Sequence, residues 1–111
     1  LVVYSNRAKQ ELLGVPEEML RDHGAVSEPV ARSMAAAARE QAHTTYGLAV
    51  TGIAGPSGGS PEKPVGTVFI GLASGARTDV RQYQFSGTRE KIKIMSSQVA
   101  LNLLRSFILD G

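Results

Sequence analysis

Three stretches of the sequence carry residue types that could do chemistry. The first is Thr51-Gly52-Ile53-Ala54-Gly55-Pro56-Ser57-Gly58-Gly59, where an apolar strand runs straight into a glycine-rich loop. Glycines let backbone N–H groups approach an anion closely and form a concave nest. In open α/β sheets, ligands collect at the carboxyl ends of strands. A phosphate or carboxylate ligand is one expectation, and a long connection into the next strand is the other. The loop is not a P-loop, because Lys63 is followed by Pro64 rather than Ser or Thr. It is not a dinucleotide fingerprint either, since no helix follows the glycines.

The second stretch is Tyr4-Ser5-Asn6-Arg7-Ala8-Lys9. A strand over residues 1–4, if parallel to the one before the glycine loop, would deliver Tyr4 and Ser5 to the same rim. Ser5 and Lys9 are four apart and can share a helix face. A lysine near a helix N-terminus is disfavoured as a cation, and partial burial would lower its pKa further, as a lysine general base requires. The alternative is an ordinary solvated lysine. The third stretch is Phe85-Ser86-Gly87-Thr88-Arg89-Glu90. Here a strand end, a cap and a helix start offer an anion site, with Arg89 free to make charge-assisted bonds to phosphate. Otherwise Thr88 is a plain N-cap and Arg89 is solvated. His23 and His43 lack metal-ligand spacing, and His23 before Gly24 suits a helix end. Neither a catalytic triad nor a carboxylate dyad is visible.

The elements that must position these residues follow from the pattern. Residues 1–4 read as a buried strand. Ser5 or Asn6 caps a short helix through Leu13, closed by Gly14. Pro16 fits the first turn of a second helix, with Glu17 and Glu18 at its positive end and Gly24 closing it. Ser27-Glu28-Pro29 starts a third helix reaching about His43, and its alanines allow close packing. Residues 48–53 form a continuous apolar strand, predicted to be covered on both faces. Residues 65–74 and 78–85 form two more strands, joined by Gly75-Ala76-Arg77 as an antiparallel hairpin. Thr88 caps a last helix through Leu109, with an apolar stripe of Ile92, Met95, Val99, Leu103 and Phe107. The order predicts a single α/β domain over residues 1–111, layered α/β/α with a mixed sheet.

Composition narrows the class. The 111 residues are 42% hydrophobic and 20% charged, which excludes a disordered chain. With no cysteine, disulfides, thiolate metal sites and a cysteine nucleophile are excluded within this sequence. No apolar run is expected to approach a membrane span. The net charge is only +2 and the cations are scattered, with no tryptophan, three Tyr and three Phe. A nucleic-acid groove wants clustered cations with interleaved aromatics, so no nucleic-acid partner and no membrane partner is expected. A cytoplasmic location fits best.

The blocks Tyr4-Ser5-Asn6-Arg7-Ala8-Lys9, Leu13-Gly14-Val15, His23-Gly24-Ala25-Val26-Ser27-Glu28-Pro29-Val30, Thr51-Gly52-Ile53-Ala54-Gly55-Pro56, Lys63-Pro64-Val65-Gly66-Thr67-Val68 and Phe85-Ser86-Gly87-Thr88-Arg89 occur in this order. Together they closely resemble the CinA C-terminal domain family, which includes bacterial nicotinamide mononucleotide deamidases. The match covers essentially the whole chain, and it is specific in combination rather than block by block. The resemblance implies a metal-independent Ser-Lys amidohydrolase without a cofactor. It would turn nicotinamide mononucleotide and water into nicotinic acid mononucleotide and ammonia. It further implies Lys9 as general base with Tyr4 beside it. Ser5, Asn6, Thr51, Gly52, Ile53, Ala54 and Gly55 would line the substrate pocket, with Arg89 on the phosphate. The implied partners are a small nucleotide substrate and further copies of the same chain.

One departure stands out. The family's nucleophilic serine lies in a Thr-Ala-Glu-Ser-Cys-Thr-Gly-Gly block upstream of the tyrosine, and this sequence contains no such block. The expectation is an amino-terminally incomplete domain, without the family's first helix and strand and inactive by itself. Ser5 acting with Lys9 is the alternative nucleophile within the chain. Two other readings are a non-catalytic nucleotide- or phosphate-binding module and a structural domain of a larger CinA-type protein.

Overall fold

The computed structural model describes residues 14–110. The strand expected over 1–4 and the helix after it lie outside the described residues. The elements that follow are α1 (Glu17–His23), α2 (Glu28–Ala42), β1 (Gly47–Gly52), β2 (Thr67–Ala73), β3 (Thr78–Gln84) and α3 (Arg89–Leu109).

Local chemistry sets the helix boundaries. Pro16 stands at the N-cap of α1, and the Gly24 N–H closes that helix on the Leu20 carbonyl. Ser27 caps α2: its hydroxyl oxygen accepts from the Val30 N–H at 3.4 Å, while the hydroxyl donates to the Gly24 carbonyl at 2.9 Å. One buried serine therefore ends α1 and starts α2. Ser27→Ala removes both bonds and is expected to cost about 1–2 kcal/mol, read from the urea midpoint at unchanged slope. At the far end His43 takes a left-handed conformation and closes α2. Thr88 caps α3 by accepting from the Lys91 N–H.

The three strands form one antiparallel sheet in the order β1-β2-β3, with β2 in the middle. The parallel pairing that would make it mixed falls on residues 1–4, outside the described residues. β2 is buried along its whole length. Two clusters lie on its two faces. Val15, Leu20, Val30, Met34, Ala35, Ala49 and Ala73 pack between the sheet and α1–α2. Val68, Ile70, Ile92 and Ala100 pack between the sheet and α3, with Tyr83 and Phe85 stacked beside them. The result is the expected α/β/α layering.

Two expectations need correcting. Among the described residues, 48–53 are covered on one face only. Burial along β1 alternates, with Gly47, Ala49 and Thr51 under α2 and Val50 39% exposed on the other side. The reason is position: among the described residues β1 pairs only with β2, and its second face looks into a cleft beside α3. α3 is also long and apolar enough to cross a membrane by length and composition, contrary to the expectation that nothing approaches a span. It instead lays Ile92, Ser96, Ala100 and Phe107 into the protein. Ile94, Leu101 and Ile108, seven residues apart, stay exposed on its outer side.

Candidate functional site

Because β1 and β3 both run antiparallel to β2, their carboxyl ends share one rim. That rim holds the glycine-rich loop after β1 and the start of α3 after β3. The loop is closed at its base by an extension of the ladder. The Ile53 N–H donates to the Thr67 carbonyl at 3.0 Å, and the Gly66 N–H donates back to the Ile53 carbonyl at 2.6 Å. Gly66 has φ +97, and a Cβ there would collide with the Phe85 carbonyl, so only glycine fits this crossing. Gln84 seals the same place, accepting from the Thr67 hydroxyl at 2.9 Å and donating to the Val65 carbonyl at 2.8 Å.

Three side chains tie this loop to its neighbours. Lys63 Nζ donates to the His23 carbonyl at 2.8 Å, holding the outer part of the loop against the end of α1. Thr51, 4% exposed, donates its hydroxyl to the Ala25 carbonyl at 2.8 Å. Arg89 Nη1 donates to the Gly55 carbonyl at 3.1 Å and so fixes the loop to α3. The Gly55–Pro56 peptide between these anchors is cis. The N–H groups of Ala54 and Gly55 donate to no partner among the described residues.

Beside the anchored rim lies an open cleft of about 1140 Å³, running along β1 between α2 and α3. Of the residues singled out in the sequence, Thr51, Gly52, Ile53, Ala54 and Arg89 line it together. Gly55 is buried just behind, reached through its carbonyl. Tyr4, Ser5, Asn6 and Lys9 lie outside the described residues. His23 enters through its carbonyl, not its ring. The sequence reading missed the α3 residues Lys93, Ser96 and Ser97, which line the same cleft. The signal was present: Lys93 and Ser97 follow Arg89 at intervals of four, on one helix face. Both serine hydroxyls are occupied, Ser96 on the Ile92 carbonyl at 2.7 Å and Ser97 on the Lys93 carbonyl at 3.0 Å.

A glycine-loop rim and an arginine on one cleft agree with the order of sequence blocks. The model of the CinA C-terminal domain family matches residues 1–108. The chain belongs to that family. A CinA-like protein of Syntrophus aciditrophicus is 56% identical over 111 residues, covering 99% of this chain and 26% of its own length. A CinA-like protein of Geobacter sulfurreducens is 51% identical over all of this chain and 27% of its own length. The chain thus spans about a quarter of the length of the curated relatives it matches. Among solved structures, the competence/damage inducible protein CihA of Agrobacterium tumefaciens superposes with a TM-score of 0.91 at 37% identity, covering 94% of this chain and 64% of that one. The competence damage-inducible protein A of Klebsiella pneumoniae gives 0.91 at 31% identity, over 96% and 66%. The CinA fold of these structures is the α/β arrangement described above.

Proposed function

We propose that the cleft binds nicotinamide mononucleotide and that, in a protein also carrying the family's serine block, this domain hydrolyses its carboxamide to a carboxylate and ammonia. The observation that carries the reading is the joint placement of the Thr51–Ala54 strand end and Arg89 on one cleft. Membership of the CinA C-terminal domain family supports the reading, because the family resemblance implies an amidohydrolase.

In this reading neutral Lys9 takes the proton from the upstream serine hydroxyl as its oxygen attacks the carboxamide carbon. Backbone N–H groups of a glycine loop stabilise the oxyanion, and those of Ala54 and Gly55 are uncommitted among the described residues. Ammonia leaves with a proton from Lys9 or Tyr4. Water then hydrolyses the acyl-enzyme and returns the serine. Arg89 has five N–H donors and spends one on Gly55, which leaves others for the substrate's phosphate.

The direct test is ammonia release from nicotinamide mononucleotide by a full-length protein containing this domain. Ligand binding without ammonia would instead support the non-catalytic binding module. Arg89→Ala is expected to weaken mononucleotide binding by about 1.5–3 kcal/mol, measured by calorimetry, with a smaller effect on the phosphate-free riboside. An equal loss for both ligands would remove the phosphate from the role of Arg89.

A further inference from the structure

The cleft has a second cation that the sequence blocks do not point to. Lys93 lines it one helical turn beyond Arg89. No Asp or Glu is among the described lining residues. Elsewhere in the molecule, arginines meet carboxylates: Arg21 with Asp22, Arg32 with Glu28 and Arg77 with Asp79. Among the described residues neither Arg89 nor Lys93 has a carboxylate partner. Their spacing of four puts their side chains side by side, with Cβ atoms about 5–6 Å apart. Two cations without a carboxylate partner therefore share one wall of a cleft whose remaining described lining is apolar or uncharged.

We propose that Lys93 is a specificity-determining residue that pairs with Arg89 to select a terminal phosphate monoester over a phosphate diester. The inference rests on reading the cleft as a nucleotide site. A phosphate monoester carries about −1.5 to −2 charges at pH 7 and three acceptor oxygens. It can face both cations at once, Arg89 through its planar fork and Lys93 as a point charge. A diester carries one negative charge and has only two unesterified oxygens, so one cation would stay unmatched. The preferred substrate class is a mononucleotide, with dinucleotides and other esterified phosphates disfavoured.

The test titrates the full chain and its Lys93→Gln and Lys93→Arg variants with nicotinamide mononucleotide, its phosphate methyl ester and the riboside. Lys93→Gln should weaken the mononucleotide about tenfold and leave the methyl ester and riboside within about twofold. Lys93→Arg should restore most of the loss. Because Lys93 is exposed, circular dichroism should show the fold unchanged. Equal weakening of all three ligands, no weakening of any, or a wild-type chain that does not distinguish the monoester from its methyl ester would each overturn the proposal. The deamidase reading fails separately. If the monoester preference follows Lys93 but the full-length protein releases no ammonia, the phosphate site stands and the reaction does not.

Discussion

Replacing Lys9 by methionine, in a full-length protein that contains the serine block, is expected to reduce the rate of ammonia release by about 10²–10⁴-fold while leaving mononucleotide affinity nearly unchanged. Methionine keeps the length and apolar stem of lysine but has no nitrogen to accept a proton. The serine hydroxyl then has no base, and it is a poor nucleophile without one. Binding should survive, because the proposed phosphate contacts come from α3 and not from this residue. The expected signature is a fall in kcat with KM within a few-fold. Unchanged turnover would end the assignment of Lys9 as base. A fall in affinity with kcat preserved would move Lys9 into the binding surface instead. Equal circular dichroism spectra for the two proteins separate both outcomes from a folding defect.

The helices were legible because their ends are written in local chemistry. Ser27-Glu28-Pro29, Thr88 and Gly24 act within four residues of themselves, so sequence spacing is enough to place them. The hairpin between β2 and β3 was legible for the same reason. The role of β1 was not. Its apolar run reads as a strand covered on both faces, yet among the described residues β1 lends its second face to the cleft. Periodicity reports how apolar a strand is and not which neighbour covers it. The site divides in the same way. Thr51, the glycine loop and Arg89 stand out by type and family pattern. The bonds that assemble them, Arg89 to Gly55, Thr51 to Ala25 and Lys63 to His23, join residues 26 to 40 positions apart. Nothing local encodes such contacts. Lys93 was overlooked because a lysine in a helix's first turns usually reads as a solvated side chain, and only the cleft beside it gives it another meaning.

Gly71→Val is expected to destabilise the fold by about 3 kcal/mol or more, although valine is among the best strand residues and no unusual backbone angle forbids it. The cause is the closeness of α2 to the sheet. Gly71 pairs with Ala49 and Gly47 pairs with Ala73, giving a patch of very small residues on β1 and β2. α2 lays its own Ala31 and Ala35 over that patch. A Cβ at Gly71 would lie 2.5 Å from the Ala31 carbonyl oxygen and 3.0 Å from the Ala35 Cβ. The nearest atom belongs to helix backbone, so no side-chain rotation relieves the contact. α2 would have to lift, opening the cluster of Val30, Met34, Ala35, Ala49 and Ala73 and pulling the α1–α2 connection away from Thr51. A loss of this size is a large fraction of the 5–15 kcal/mol that holds a domain together, and it should lower Tm by more than about 10 °C. Adding Ala35→Gly should recover little of the loss, because the carbonyl of Ala31 remains in the way. Gly75→Ala is the control: its Cβ would meet only the flexible Arg39 guanidinium, at 3.0 Å, and stability should change by about 0.5 kcal/mol or less. A Gly71→Val protein as stable as the control would mean that α2 does not ride on the small-residue patch. The position of Thr51, and of the cleft it lines, would then need another explanation.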